Sequence, residues 1–394
     1  MEYPTLALKP GKEQSLLRFH PWVFSGAINS IVGNPKEGDI VEVKDYNGNF
    51  LAIGHYQPSS ISVRIISFEL VNIDDSFWES KLINALNLRR SLGLYPNRST
   101  NIFRLVHGEG DNLPGLVIDI YGKTAVMQCH SVGMYNIRQL LAEKLVKIFK
   151  GDITSVYDKS SGTLPYKASI KPNDSYLIGS LTNDGLAEHD NNFEVSWIEG
   201  QKTGFFIDQR ENRLLLQNFS KGCSVLNTFG YTGGFSVYAI RGGARSVTTI
   251  DSSQKAIDLT LKNIELNFPK ADNHKAICID AIDYLRDTSE KYDIIILDPP
   301  AFAKHNDALR NALQAYKRLN ASAIQRLNPG GILFTFSCSQ VVNKENFRNA
   351  VFSGSAITGR SVKILHQLTQ PADHPINIYH PEGEYLKGLV LQVE

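Results

Sequence analysis

Asn227-Thr-Phe-Gly-Tyr-Thr-Gly-Gly-Phe-Ser236 is the stretch whose reading decides the fold. It follows a short apolar run, Ser224-Val-Leu226, and opens a pattern that reads as helix. A strand that ends in a glycine-rich turn at a helix start presents backbone amides to a small ligand. Gly230, Gly233 and Gly234 let that backbone approach closely. Their spacing is not G-x-G-x-x-G, so the turn alone does not choose the ligand.

Downstream of the turn, strands and helices alternate. Strands are predicted over 224–228, 246–251, 274–280, 292–297 and 331–337, and helices over about 233–242, 253–267, 282–287 and 306–327. This rhythm predicts an α/β, Rossmann-like domain with a mainly parallel sheet and helices on both faces. Two more strands, 362–368 and 386–393, flank a long turn holding Asp373-His-Pro375 and His380-Pro-Glu-Gly383. With no helix between them, they are expected to pair antiparallel at one edge. Upstream, Phe193-Glu-Val-Ser-Trp197 is a strand candidate, and Gly200-Gln-Lys-Thr-Gly-Phe-Phe-Ile-Asp-Gln-Arg210 leads into a helix centred on Leu214, Leu215 and Leu216.

The first half reads differently. Residues 1–72 form short strands with turns, among them the hairpin signal Asp45-Tyr-Asn-Gly48. His20-Pro-Trp-Val-Phe24 sets Trp22 beside Arg18 and His20, and reads equally as a plug for a small barrel or as a recognition element. Residues 73–185 read as an α+β module: a helix capped by Asp74 or Asp75, three strands, a second helix, and a loop-rich connection over 158–185. Three domains follow, over 1–72, 73–185 and 186–394.

Composition sets the class. The 394 residues are 42% hydrophobic and 21% charged, the profile of a soluble globular protein. No apolar run approaches the roughly 18 residues of a membrane span, and no secretion signal is read at the N-terminus. Cys129, Cys223, Cys278 and Cys338 form no Cys-x-x-Cys pair, so neither a metal site nor a disulfide framework is expected, and a reducing cytoplasmic setting fits. Net charge is +1, so RNA binding would rest on a local patch.

Ligands in open parallel sheets bind where strands end. Asp251 ends the second strand, where an acceptor would meet a ribose diol of either a nicotinamide dinucleotide or S-adenosylmethionine. Asp280-Ala281 ends the third, where a carboxylate would receive an adenine amine. Each acid alone reads more often as a helix cap. The fourth strand ends in Asp298-Pro-Pro-Ala-Phe302, which sets a carboxylate and stiff carbonyls at a cleft floor suited to a base with an exocyclic amine. The fifth ends in Ser337-Cys-Ser339. Methylating cytosine at C5 requires a thiolate to add first at C6, whereas amine methylation requires none. Cys338 therefore separates the two chemistries, and the other three cysteines read as structural.

Taken together, these motifs resemble the class I S-adenosylmethionine-dependent 23S rRNA cytosine-C5 methyltransferases that carry an N-terminal PUA domain. The resemblance rests on His20-Pro-Trp-Val-Phe-Ser-Gly26, Gly54-His-Tyr56, Gln201–Arg210, Phe229–Phe235, Asp298-Pro-Pro300, Ser337-Cys-Ser339, Asp373-His-Pro375 and Glu384-Tyr-Leu-Lys-Gly388, and it spans the chain. It implies a PUA RNA-binding domain, a central α+β domain and a methyltransferase domain, with Cys338 as nucleophile and Asp298 orienting the cytosine. It implies S-adenosylmethionine held by Gln209, Phe229, Tyr231, Thr232, Gly233, Gly234, Asp251, Ser252, Asp280, Ala281 and Pro299. Pro300, Phe302, Lys304, Arg18 and Trp22 are the expected substrate contacts. Large-subunit rRNA is the implied partner and a homodimer the implied assembly. Many RNA cytosine-C5 methyltransferases have a second cysteine after the Asp-Pro motif; here Ala301 stands there, so the base that takes the C5 proton is a water or a neighbour such as Lys304. Related sequences with the same Gln-Lys-Thr-Gly segment methylate guanine, which keeps an rRNA N-methyltransferase acting on a guanine or adenine amine as the alternative. An inactive RNA-binding chaperone is disfavoured by the retained acids and thiol.

Overall fold

A computed structural model describes residues 3–165, 168–182 and 184–394, so Tyr166, Lys167 and Asn183 of the predicted 158–185 connection lie outside it. The chain divides into two compact units. The first comprises 1–186, 195–205 and 372–383, and the second 187–194, 206–371 and 384–394.

The first unit holds two sheets. Strands β1 (Thr5–Leu8), β2 (Trp22–Phe24), β3 (Ile28–Val32), β4 (Ile40–Lys44), β5 (Phe50–Tyr56) and β6 (Ile61–Ser67) form a six-stranded sheet in the order β2-β6-β5-β4-β1-β3. A single turn of helix, α1 (Gln14–Leu17), follows β1. Alternate residues such as Leu6, Leu8, Val41 and Val43 are fully buried in its core. Helix α2 (Asp75–Ser91) starts at Asp74, whose Oδ1 accepts from the Phe77 amide at 2.9 Å. A five-stranded sheet follows, built from β7 (Ile102–His107), β8 (Leu116–Tyr121), β9 (Thr124–Cys129), β10 (Ser155–Asp158) and β11 (Ser175–Ile178), with α3 (Val132–Asn136) and α4 (Arg138–Ile148) between β9 and β10. Strand β11 lies inside the connection read as loop; it pairs antiparallel with β10. Segment 372–383 is fastened to this unit: Arg89 is wholly buried, donates from Nη2 to the Asp373 carbonyl at 2.6 Å, and also pairs with Asp111.

The second unit opens near a two-stranded ribbon, β12 (Leu186–Glu188) with β13 (Asn191–Phe193). The strand expected over 193–197 ends at Phe193. Beyond it the Glu194 amide donates to Asn263 Oδ1 at 2.7 Å and the Ser196 carbonyl accepts from Gly200, so this backbone satisfies itself outside any ladder. Then come α5 (Arg210–Phe219), β14 (Ser224–Thr228), α6 (Gly234–Arg241), β15 (Ser246–Asp251), α7 (Gln254–Asn267), β16 (His274–Cys278), α8 (Ala281–Asp287), β17 (Tyr292–Leu297), α9 (Leu309–Gln325), β18 (Leu327–Ser337), α10 (Lys344–Thr358), β19 (Val362–Leu368) and β20 (Lys387–Val393). Their sheet runs β16-β15-β14-β17-β18-β20-β19. The first five strands are parallel, and β20 runs antiparallel to both β18 and β19 at the edge.

Period two decides both faces. Val225, Ile294, Ile296 and Phe336 pack toward Leu216 of α5 and Phe235 and Ala239 of α6. Leu226, Ile295 and Leu297 pack toward Leu285 of α8, Tyr316 and Leu319 of α9 and Phe347 of α10. A sheet buried on both faces accounts for the continuous apolar run Tyr292-Asp-Ile-Ile-Ile-Leu297. Among the described residues, no helix is long and apolar enough to cross a membrane.

Candidate active site

The strand order reverses between β14 and β17, the crevice where a doubly wound sheet receives its ligand. Thr228 lies opposite Leu297 in the ladder, so the turn beginning at Phe229 and the loop beginning at Asp298 leave the sheet as neighbours.

The turn is strained and held. Phe229 (φ 56°), Tyr231 (φ 47°) and Gly233 (φ 77°) alternate through the left-handed region. Two non-glycine residues in that region within three positions persist only where the surroundings over-determine them. Here Gly230 donates to the Ile250 carbonyl at 2.9 Å and the Tyr231 amide to Asp251 Oδ2 at 2.9 Å. From α7, Thr260 Oγ1 donates to the Tyr231 carbonyl at 3.0 Å and Asn263 Nδ2 to the Thr232 carbonyl at 2.9 Å. There is no room to spare: a Cβ on Gly230 would sit 2.3 Å from Thr249 Cγ2, and one on Gly233 would sit 2.7 Å from Thr260 Cγ2. Beneath the start of α6 lies a buried ion pair. Arg213 donates to both Glu188 carboxylate oxygens at 2.8 and 2.7 Å, and the Tyr238 hydroxyl adds a third bond at 2.9 Å. Burial works against the Arg213 charge, and the Glu188 carboxylate outweighs it, so the guanidinium pKa is raised.

The two acids at the neighbouring strand ends serve local structure as well. Asp251 is half-buried; it takes the Ser253 amide on Oδ1 at 2.9 Å and the Tyr231 amide on Oδ2. Asp280 is exposed and caps α8 through Oδ1, which accepts from Ile282 at 2.8 Å and Asp283 at 3.1 Å. The cap reading therefore holds for Asp280 alone, since Ser253 caps α7 and Asp251 closes β15; each carboxylate retains lone pairs for a further donor. Ser252 is exposed beside Asp251, and Ala281 is buried at the start of α8. The donor set fits S-adenosylmethionine. The first amides of α6 lack partners within that helix and suit a carboxylate, and Asp251 and Asp280 suit hydroxyl and amine donors.

Two strand ends away, Asp298 Oδ1 accepts from Gln209 Nε2 at 3.0 Å, and Gln209 Oε1 accepts from Asn212 Nδ2 at 2.6 Å. Gln209, expected among the cofactor contacts, thus spends its amide on orienting Asp298. Pro299 is buried, Pro300 and Lys304 are exposed, and the half-buried Phe302 ring packs 4.8 Å from that of Tyr316. Ser339 Oγ donates to the Ala303 carbonyl at 2.6 Å, which ties the Asp298 loop to the residues after β18. Cys338, half-buried, stands within that tie. Tyr316 is fully buried, and burial pushes its hydroxyl pKa up, with the Cys338 and Asp298 charges adding to the effect. It has the Ser337 side chain and Phe302 backbone nearby but no partner at full hydrogen-bond geometry among the described residues.

Arg18 and Trp22 belong to the first compact unit, and the other candidates to the second. Arg18 is exposed at the end of α1, and Trp22 Nε1 donates to Glu109 Oε1 at 2.8 Å while its ring lies 4.3 Å from that of His380. Sequence reasoning passed over Asn212, Tyr316 and Lys387. The signal for Lys387 was there: a lysine at the head of a strand that is otherwise apolar, Leu386-Lys-Gly-Leu-Val-Leu391.

Comparison with known proteins agrees with this geometry. Residues 6–68 match the PUA-like domain family, and residues 175–381 match the S-adenosylmethionine-dependent methyltransferase family. The chain is 37% identical over 398 residues to ribosomal RNA large subunit methyltransferase I of Klebsiella pneumoniae (strain 342), covering 99% of this chain and 98% of that one. Among solved structures, a Streptococcus mutans protein described as a SAM-dependent methyltransferase superposes with a TM-score of 0.84 at 23% identity, and a methyltransferase complexed with SAH with 0.85 at 23%, each covering 100% of both chains. The chain belongs to the S-adenosylmethionine-dependent methyltransferases with an N-terminal PUA-like domain, the family that includes the ribosomal RNA large subunit methyltransferase I proteins.

Proposed function

We propose that the protein methylates C5 of a cytosine in large-subunit ribosomal RNA, with Cys338 adding to C6. The observation that carries this reading is a half-buried thiol after β18, tied through Ser339 to the loop that presents Asp298. Cytosine C5 is a poor nucleophile on its own. Attack of the Cys338 thiolate forms an S–C6 bond and shifts the C5=C6 pair onto C5, which then reacts as an enamine carbon. Asp298, aimed by Gln209, holds the base and supports its ring nitrogen. S-adenosylmethionine, when bound at the 229–234 turn, supplies the electrophilic methyl group. Loss of the C5 proton then restores the C5=C6 bond and returns the S–C6 pair to Cys338. With Ala301 after the Asp-Pro motif, water or Lys304 takes that proton. An amine methyltransferase has no use for a thiol at this strand end.

The large-subunit target follows the name carried by the relative, and the PUA-like domain suits RNA held by shape and backbone. The target base must leave its stack to reach a sheet edge. A homodimer is the assembly the resemblance implies, and sedimentation of the purified chain tests it; the cysteine usage fits a cytoplasmic setting.

RNA containing 5-fluorocytidine, incubated with the enzyme and S-adenosylmethionine, is expected to give a covalent complex stable to denaturation, because fluorine at C5 blocks elimination. Cys338→Ala is expected to give none and to lose at least about a thousandfold in methylation, about 4 kcal/mol of barrier. A Cys338→Ala enzyme that methylates as fast as the parent, or a product nucleoside other than 5-methylcytidine, overturns the assignment.

A further inference from the structure

We infer that Lys387 is a positioning residue whose buried ammonium holds Cys338 as a thiolate, so that the nucleophile is prepared by a neighbouring antiparallel strand, β20, outside the cofactor turn and the Asp298 loop. This rests on the reading of Cys338 as nucleophile.

The geometry comes from the antiparallel pairing of β18 with β20. Lys387 lies opposite Ser337, the residue before the thiol. Its Nζ donates to the carbonyl of Ser339, the residue after the thiol, at 2.6 Å. The side chain therefore spans the backbone of Cys338 from one flank to the other. Only 4% of Lys387 is exposed. A lysine so buried is costly to keep unless an anion or acceptors compensate it. One carbonyl satisfies one of its three N–H donors. The charged groups that face it are Cys338 and Glu384, which favour the ammonium, and Lys344, which opposes it. Glu384 is itself engaged by Lys344 in an ion pair, which leaves Cys338 as the anion of closest chemical consequence. Burial lowers the Lys387 pKa to about 8, so the group is still mostly protonated at neutral pH.

The thiol needs such a cation. Its surroundings include the Tyr316 hydroxyl, and the Asp298 carboxylate acts on the same hydroxyl. A carboxylate in common surroundings disfavours a second anion. The ammonium of Lys387 offsets it. When the thiolate adds to C6 its charge leaves for the ring, and when elimination returns the pair to sulfur the same ammonium receives it. No net proton is consumed by Lys387 in the cycle.

The test is peptide-resolved alkylation of Cys338 by iodoacetamide across pH 5.5–10 on the full-length protein, since only the thiolate reacts. In the parent the midpoint for Cys338 is expected at least one unit below the roughly 8.5 of an unshielded cysteine. In Lys387→Met it is expected at least one unit higher than in the parent, with tenfold slower alkylation at pH 7, and in Lys387→Arg close to the parent. Adduct formation with 5-fluorocytidine RNA should slow in parallel for Lys387→Met and recover as pH is raised, which lost packing alone would not produce. A parent midpoint at or above 8.5 overturns the inference without any variant, and so does an unchanged Cys338 profile in a Lys387→Met protein that still binds S-adenosylhomocysteine. Failure of the nucleophile reading has a different signature: no covalent RNA complex with the parent at any pH, whatever the alkylation profile.

Discussion

At the scale of single residues, the turn between β14 and α6 is tightly constrained backbone. Gly233 combines a φ of 77° with the nearby Thr260 side chain, and no Cβ fits. Gly233→Ala is expected to cost about 1–2 kcal/mol from the left-handed backbone alone, with the clash adding to it. Because the displaced residues carry the α6 amides, the loss should appear as weaker binding of S-adenosylhomocysteine by calorimetry, tenfold or more; unchanged affinity would separate this turn from the cofactor. Residues at strand ends were legible in the sequence because a sheet's alternation points to its own edge. Asp251, Asp298 and Cys338 were found in this way. Lys387 was quoted only as part of a hairpin motif, since its meaning depends on a strand pairing with β18 across the sheet, half a hundred residues earlier in the chain. Tyr316 was invisible for a simpler reason: an aromatic residue in an amphipathic helix reads as core, and only the packing of α9 brings its hydroxyl toward Cys338 and Asp298.

At the scale of elements, the central strands β14 and β17 agree closely with their apolar patterns, because a strand buried on both faces leaves an unbroken run, whereas the edge strands β16 and β19 are largely exposed. Several elements were not legible, strand β10 among them. Helix α10 begins at Asn343, whose Oδ1 accepts from the Asn346 amide at 2.8 Å, but its sequence Lys344-Glu-Asn-Phe-Arg-Asn is polar enough to pass for loop. Strand β11 is short and lies among breakers. The ribbon of β12 and β13 is recognised only through its partner, since Glu188 is worth nothing in isolation and gains its meaning from Arg213. That pair is wholly buried, with 0% and 3% of the side chains exposed. Removing one member leaves the other charge uncompensated, so Glu188→Ala is expected to destabilise the second unit by about 3–5 kcal/mol. Urea melts followed by tryptophan-independent circular dichroism check this; a loss under about 1 kcal/mol would mean that water replaces the carboxylate.

At the scale of the whole molecule, acid sensitivity has a named source in the first unit. His55 on β5 is 3% exposed, with its ring stacked 5.7 Å from that of Trp78. Burial first, and the Arg64 cation second, push its pKa down from 6.5 to about 4. The unfolded chain therefore binds a proton between pH 6.5 and 4 while the folded one does not. Stability from this group is complete above pH 6.5 and falls as pH drops toward 4, by up to about 3 kcal/mol. Replacing the imidazole by a ring that cannot titrate, His55→Phe, should flatten the decline in that window relative to the parent, as read from denaturant midpoints at pH 7, 5.5 and 4.5. An identical decline in both proteins would assign the acid sensitivity to other groups.

The chain passes between its two compact units five times, at 186/187, 194/195, 205/206, 371/372 and 383/384. The first unit is not complete until residue 383 and the second not until residue 394. Both therefore wait on residues 372–394. Neither can reach its final packing early in synthesis, as an N-terminal domain ordinarily does. A chain stopped after Pro371 lacks the segment that buries Arg89 in one unit and the central antiparallel strand β20 in the other. A late nonsense mutation should therefore be felt in both units at once.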